Sequence, residues 1–182
     1  MEIDHNSIEE KWQEEWSETG ISIASRDDRP KFMIIFAYPG VTGYLHVGHL
    51  RGYTYTDAIA RYKRMLGYNV MFPVGTHATG NGAISLASRI KRGDPETIEY
   101  MKDNGCPDEI LKTLTEPMAV VDYFNEVYIN DYWKRFGFLS DWRRFTCSLN
   151  PDYGKFIEWQ FRKLMDLGLL IQKPYFAPFC PG

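Results

Sequence analysis

Apolar side chains follow one another almost without interruption from Phe32 to Tyr38, in KFMIIFAY, and the run ends at Pro39. A continuous apolar stretch of that length predicts a strand buried on both faces, as in a parallel sheet. The rhythm then changes. PGVTGYLHVGH holds three glycines and no charge, and after it apolar residues return at helical spacing through Leu50, Tyr53, Ala58, Ile59 and Met65 until Gly67. That is a loop feeding a helix. YNVMFP is a second strand, and VGTHATGNGAISLASRIKRG repeats the order of glycine-rich loop and helix. Strand, loop and helix in alternation predict an α/β fold, a Rossmann-like doubly wound parallel sheet with its site at the carboxyl ends of the strands.

The flanks read as helices. Asn6 followed by Glu9 is a capping-box pattern, Ile8, Trp12 and Trp16 form a stripe that docks on a core, and Gly20 closes the segment. DPETIEYMKDNG opens with an Asp cap and a proline at the first helical position, and a longer run from Pro117 to Phe136 stops at Gly137. Its aromatics Tyr123, Phe124, Tyr128, Tyr132 and Trp133 have helical spacing and read as core. Another amphipathic helix starts at Asn150-Pro151 and ends at Gly168, and LLIQK after it reads as a strand. The chain therefore divides into a leading helix and link (1–30), a β-α-β-α part (31–93), a helical insertion (94–137) and a helix with a strand (138–182).

Composition narrows the classes. In 182 residues, 44% hydrophobic content with 15% aromatics is that of a folding globular protein. A net charge of -3 supplies no global basic signature, so a nucleic-acid partner must meet a local patch or another domain. Cys106, Cys147 and Cys180 are odd in number and form no CxxC pair, so neither a disulfide framework nor a complete zinc ribbon is written, and a reducing cytoplasm is the simplest compartment. The acidic start lacks a signal-peptide pattern and no apolar run spans a bilayer, so no membrane is expected.

The candidate chemistry lies in LHVGH. His46 and His49 stand where a strand's carboxyl end turns into a helix, a place where unpaired N–H groups favour anions. Gly48 lets a ligand approach the backbone, and two imidazoles one turn apart can address one polyphosphate. A metal would need further ligands, since HxxH is not the HExxH of zinc helices; Asp57 or His77 would have to be recruited. Simple capping or packing of both rings is the third possibility. The glycine-rich approach after a buried strand favours phosphate contact.

These residues also carry a resemblance. YPGVTGYLHVGH resembles the HIGH signature of class I aminoacyl-tRNA synthetases. DAIARYKRMLGYNVMFPVG, with GFLSDWRRFTCSLNPDYGKFIEWQFRKLMDLGLL, is similar to segments of the leucyl, isoleucyl and valyl enzymes. THATG and the overall wording resemble the archaeal and eukaryotic leucyl type. The resemblance implies attack of the leucine carboxylate on the α-phosphate of ATP, loss of pyrophosphate, then transfer to tRNA(Leu). Substrate supplies the nucleophile, so catalysis rests on positioning and charge stabilisation. It implies His46 and His49 as phosphate donors, Pro39, His46, Gly48 and His49 at ATP, and Ala37, Tyr38 and His77 at the amino acid. Mg²⁺ would accompany ATP on phosphate oxygens and water, with no metal ligand in the chain. A cytoplasmic monomer, meeting tRNA mainly through further domains, is the corresponding expectation.

The sequence departs from the family in two places. Where many members carry an aromatic after the proline, this chain has Gly40-Val41-Thr42-Gly43. Where bacterial members carry an ammonium-binding aspartate, it has His77, which can also be read as a loop histidine ordering the turn. Lys63, Arg64 and Arg61 read as a solvated face, and Arg89, Lys91 and Arg92 as cations suited to a helix C-terminus. Trp142, Arg143 and Arg144 match a family segment without an evident chemical role. A Lys-Met-Ser-Lys-Ser loop is not among these residues, so the reading is of the first half of a catalytic domain, with isoleucyl- or valyl-type specificity, a non-catalytic nucleotide-binding paralogue and a zinc hydrolase as rivals.

Overall fold

In the computed structural model, which describes residues 3–178, the chain forms one compact unit up to Ser148 and a second from Leu149 onward. Cys180 lies outside the described residues.

The first unit opens with α1 (His5–Thr19), closed by Gly20 in the left-handed conformation. Asp4, not Asn6, caps it, accepting from Ser7 N–H; Asn6 instead accepts from Arg135 across the fold. Of the apolar stripe only Trp16 is substantially covered: Ile8 and Trp12 stay exposed, whereas the Trp16 ring lies under Arg61 and against Gly137.

β1 (Lys31–Met33) pairs in parallel with β2 (Asn69–Met71), Phe32 opposite Val70. β3 (Gly75–Thr76) pairs in parallel with β4 (Thr146–Cys147), Gly75 opposite Thr146. Gly40 and His77 form an isolated parallel bridge between the two pairs. Residues 69–77 are thus the middle line of an interrupted parallel sheet, flanked by 31–41 and 141–148, not one continuous ladder. Pro73 separates β2 from β3, because proline has no N–H to give, and the regular ladder of the first strand stops at Met33, with the Gly40–His77 bridge further on. Burial on both faces of the first strand is not observed. Ile34 and Phe36 turn inward while Met33 and Ile35 are exposed, an alternation that belongs to a sheet covered on one face among the described residues.

α2 (Val47–Met65) follows the first strand and α3 (Gly82–Lys91) the second, as the alternation predicts. The buried face of α2 is Tyr53, Thr56, Asp57 and Ala60; Ile59 and Met65 point outward. Polar groups belong to that face because Asp57 has partners there. Its carboxylate accepts from Leu139 N–H at 2.8 Å and from Arg61 Nε at 2.6 Å. Arg61 also donates to Gly137 O, and Arg64 to Leu139 O at 2.8 Å. Lys63 lies over the rings of Phe32 and Tyr68. The basic run is therefore a clamp joining α2 to its neighbours, not a solvated face.

The insertion comprises α4 (Pro95–Asp103), capped by Asp94, the short α5 (Asp108–Leu111), and α6 (Pro117–Glu126), which widens into a π-helix over Val127–Lys134 before Gly137. Its aromatics enter the core as read: Phe124, Tyr128 and Trp133 are fully buried. Phe36 joins them to the sheet, its ring 4.2 Å from Tyr53 and 5.4 Å from Trp133. A 3₁₀ turn over Trp142–Arg144 then gives Arg143 and Arg144 a structural role, since both pair with the buried Asp141, which also accepts from Ala24 N–H.

In the second unit α7 (Pro151–Asp166) starts after Asn150 and is followed by Gly168 at positive φ. None of its residues is buried. Residues 169–178 form no strand; a strand exists only through pairing, and the segment makes no ladder among the described residues.

Asp57→Ala leaves Leu139 N–H and Arg61 without their acceptor, and should lower unfolding free energy by about 2–4 kcal/mol in urea denaturation. Asp57→Asn keeps an oxygen for Leu139 and should lose less. Equal losses would show that the Leu139 bond is not what matters.

Candidate active site

His46 is the N-cap of α2. Its Nδ1 accepts from Gly48 N–H at 3.1 Å, and its own backbone N–H donates to Nδ1 of His49 at 3.3 Å. The two rings lie with centroids 4.1 Å apart. This is a capping box built from two imidazoles, where serine and glutamate usually serve. The chemistry that follows is specific. A neutral imidazole whose Nδ1 accepts carries its proton on Nε2, so each cap fixes a ring that can donate a hydrogen bond from its far side. Capping and anion donation are thus two ends of the same side chain rather than rival readings. The metal reading gains nothing: among the described residues no three His, Cys, Asp or Glu side chains gather to hold an ion.

The cap also changes what the helix terminus offers. Gly48 N–H already has a partner, and His49 and Leu50 N–H both point to His46 O. Donation to an anion falls to the rings more than to this part of the backbone. Gly48 acquires a second reason to be glycine: a Cβ there would stand 2.9 Å from Cε1 of His46, inside contact distance, and would push the ring off its cap.

His49 is held below the ordinary histidine range, first by desolvation and then by the neighbouring His46. Both effects keep it in the neutral form that accepts at Nδ1 and donates at Nε2.

The other candidates gather at the bridge between strands. His77 N–H donates to Pro39 O at 2.8 Å and Val41 N–H to His77 O at 3.1 Å, so Pro39, Gly40 and His77 lie side by side at the carboxyl end of the sheet. The imidazole of His77 is exposed, with both nitrogens 3.4 Å from Thr79 Oγ1. Ala37 is exposed and Pro39 buried; the ring of Tyr38 lies over Gly75, where a Cβ would stand 2.6 Å from Cε2 of the tyrosine. A chain of rings ties this group to the histidine pair, from His49 to Tyr53 at 6.0 Å, Tyr53 to Phe36 at 4.2 Å and Phe36 to Tyr38 at 6.3 Å. Beside His46 an apolar cavity of about 230 Å³ is lined by Leu45, Val47, Leu50, Tyr53, Tyr132, Trp133 and Phe136.

Several contributors escape a reading of the sequence alone. Asp57 holds the helix that carries the pair, and its signal was present: it shares a face with Tyr53 and Ala60 at i, i+4, i+7 spacing, and an acid on a buried face needs a buried partner. Tyr53, between the two groups of candidates, looks from sequence like one more core aromatic. Arg89, Lys91 and Arg92 lie at the end of α3 as expected, with Lys91 paired to Glu116 at 3.0 Å.

Comparison with known proteins adds an independent line. A family model described as tRNA synthetases class I (I, L, M and V) matches residues 8–182. A leucine–tRNA ligase of Methanococcoides burtonii is 42% identical over 185 residues, covering 100% of this chain and 19% of that protein. One from Pyrococcus abyssi is 45% identical over 177 residues, covering 94% of this chain and 18% of its own length. This chain thus spans about a fifth of the relatives it matches. Among solved structures, the ternary complex of Agrobacterium radiobacter K84 agnB2 LeuRS with tRNA and LeuAMS matches 92% of the chain and 18% of its own, with TM-score 0.64 and 24% identity, a likeness of fold.

Protonation of His49 destroys its Nδ1 acceptor. Because its folded pKa is depressed, the stabilisation is complete above the unfolded value of 6.5 and is lost as pH falls through the folded midpoint. An NMR titration of the imidazole Cε1–H should give a midpoint below 6.5, and a His49→Gln variant should show a shallower loss of stability on acidification; a midpoint above 6.5 would overturn the desolvated, neutral assignment.

Proposed function

We propose, because the chain belongs to the class I tRNA synthetase family (I, L, M and V), that it is the signature-bearing part of a leucyl-tRNA synthetase of the archaeal type. The protein would activate leucine with ATP and pass the leucyl group to tRNA(Leu). The observation that carries this reading is the reciprocal cap: two Nε2–H donors held side by side at the start of the helix that follows the first strand. Membership of the family supports the reaction, and likeness to leucine–tRNA ligases over nearly the whole chain supports leucine as the amino acid.

The residues divide by role in that reading. His46 and His49 donate to phosphate oxygens as charge develops on the α-phosphate and the leaving pyrophosphate, and neutral donors fixed before substrate arrives need no reorganisation. Pro39 and Gly48 lie along the nucleotide. Ala37, Tyr38 and His77 line the leucine side, where the exposed His77 imidazole can accept one hydrogen bond from the ammonium and backbone carbonyls supply the rest. The leucine carboxylate is the nucleophile, so the chain needs to hold two reactants in line more than to react itself. Magnesium belongs to the triphosphate, whose oxygens can bind it without a protein cage. Among the described residues no helix is long and apolar enough to cross a membrane. The monomeric, cytoplasmic protein and its contact with tRNA(Leu) through domains other than this one belong to the same proposal.

Leucine-dependent ATP–pyrophosphate exchange by the full-length protein tests the assignment, and exchange with isoleucine or valine in its place would redirect it. His46→Asn separates the two functions of the ring. Asparagine is a good N-cap, so the helix should keep its start and thermal stability should stay within about 1 kcal/mol. With the Nε2 donor gone, kcat should fall by about 10²–10³. Full exchange activity in this variant would reduce His46 to a cap.

A further inference from the structure

The stretch between the two candidate subsites, Gly40 to Leu45, leaves the sheet after Val41 N–H has met His77 O. Two glycines in four residues make it conformationally free in the unfolded chain and costly to order. Its backbone polar groups find partners in side chains of the helical insertion. Tyr128, fully buried in the π-helical turn, places one hydroxyl between the carbonyls of Gly40, at 3.1 Å, and Gly43. One O–H is shared between both ends of the turn. Tyr100, from α4, places its hydroxyl where it accepts from Tyr44 N–H at 2.9 Å. Gly43 makes this approach possible, since a Cβ there would stand 2.9 Å from Oη of Tyr100. The ring of Tyr44 then sits among Tyr100, Tyr123 and Phe124, and its hydroxyl meets that of Tyr123 at 2.6 Å.

We infer that Tyr128 and Tyr100 are positioning residues for the amino-acid subsite: two phenols of the insertion hold the Gly40–Gly43 turn, and with it the Pro39–Gly40 backbone that faces His77. The inference rests on the function proposed above for its substrate, but not for its geometry. Gly40 lies on both devices at once, bridged to His77 on one side and accepting from Tyr128 on the other. The histidine end of the segment is fixed separately, by the reciprocal cap and by Asp57 on the same helix. Loosening the turn should therefore be felt more at the amino acid than at the nucleotide, which meets this backbone at Pro39, itself held by His77 N–H.

Tyr128→Phe keeps the ring in its fully buried place and removes only the shared hydroxyl. In the full-length protein, ATP–pyrophosphate exchange should show KM for the amino acid raised about 3- to 10-fold, the worth of a neutral hydrogen bond, with KM for ATP within twofold of the parent. Tyr100→Phe, at a residue 41% exposed and so tolerant of change, should show the same split. Unchanged amino-acid KM in both variants, or an equal rise for ATP, would overturn the assignment and leave the phenols as packing. If the parent protein exchanges with an amino acid other than leucine, the functional reading fails, and the split is read with that amino acid instead.

Discussion

A carboxylate on the buried face of a helix is the constraint that the rest of the site depends on. Asp57 stands where an apolar residue would be expected, and its desolvation is tolerable only because Leu139 N–H and Arg61 meet it there. The first contact fastens α2 to the segment just past the insertion, the second holds Arg61 along its own helix, and Arg61 and Arg64 extend the clamp to the carbonyls of Gly137 and Leu139. Arg61 reaches further, over the ring of Trp16, so that the leading helix is held by the same guanidinium. A helix fixed along one side in this way presents its first turn at a defined place over the sheet. The histidines inherit that placement and add the cap that closes the first turn.

At that first turn the usual division between structural and chemical residues does not hold. A serine cap accepts and donates at one and the same oxygen; an imidazole has two nitrogens on opposite sides of a rigid ring. With Nδ1 committed to a backbone N–H, the tautomer and the direction of Nε2–H follow together. The low basicity of His49 is part of the same design, because a protonated ring could not accept the hydrogen bond that orients it. What is gained is preorganisation: donors are aimed before a ligand is present, so little is spent on ordering them afterwards.

The order of elements was legible in the sequence because it is written in local patterns. Glycines 20, 67, 93, 105, 137 and 168 each follow a helical run and all have positive φ. Asp94 with Pro95, and Asn150 with Pro151, open helices as such pairs should. The histidine loop was marked by two imidazoles together with the glycine-rich turn and apolar run before them. What was not legible depends on partners remote in the chain. Whether the basic run 61–64 faces water or a carbonyl depends on residues 137–139, more than seventy positions on. Whether LLIQK is a strand depends on a neighbour to pair with, and periodicity says nothing of that. Nor does the apolar run 32–38 distinguish a strand covered on one face from one covered on two, since such runs look alike in either case. At Asn6 the competition was local: two acceptors stood within reach of one helix start, and Asp4 took it.

The departure at Gly40–Gly43 reads from sequence as a pocket wall opened or remade. With no aromatic of its own, the turn is met by side chains from elsewhere in the chain. Tyr128 and Tyr100 come from the insertion, more than fifty residues away, and reach the turn with hydroxyls rather than with bulk. A wall made by the turn's own aromatic would be shaped by that residue alone. A turn of bare backbone held by remote phenols takes its shape from the packing of the insertion, where Phe124, Tyr128 and Trp133 lie in one core with Phe36. Phe36 is in turn three residues before Pro39 on the first strand. The strand end and the turn that continues it are thereby referred to the same set of buried rings, and a change of packing in the insertion would move both together.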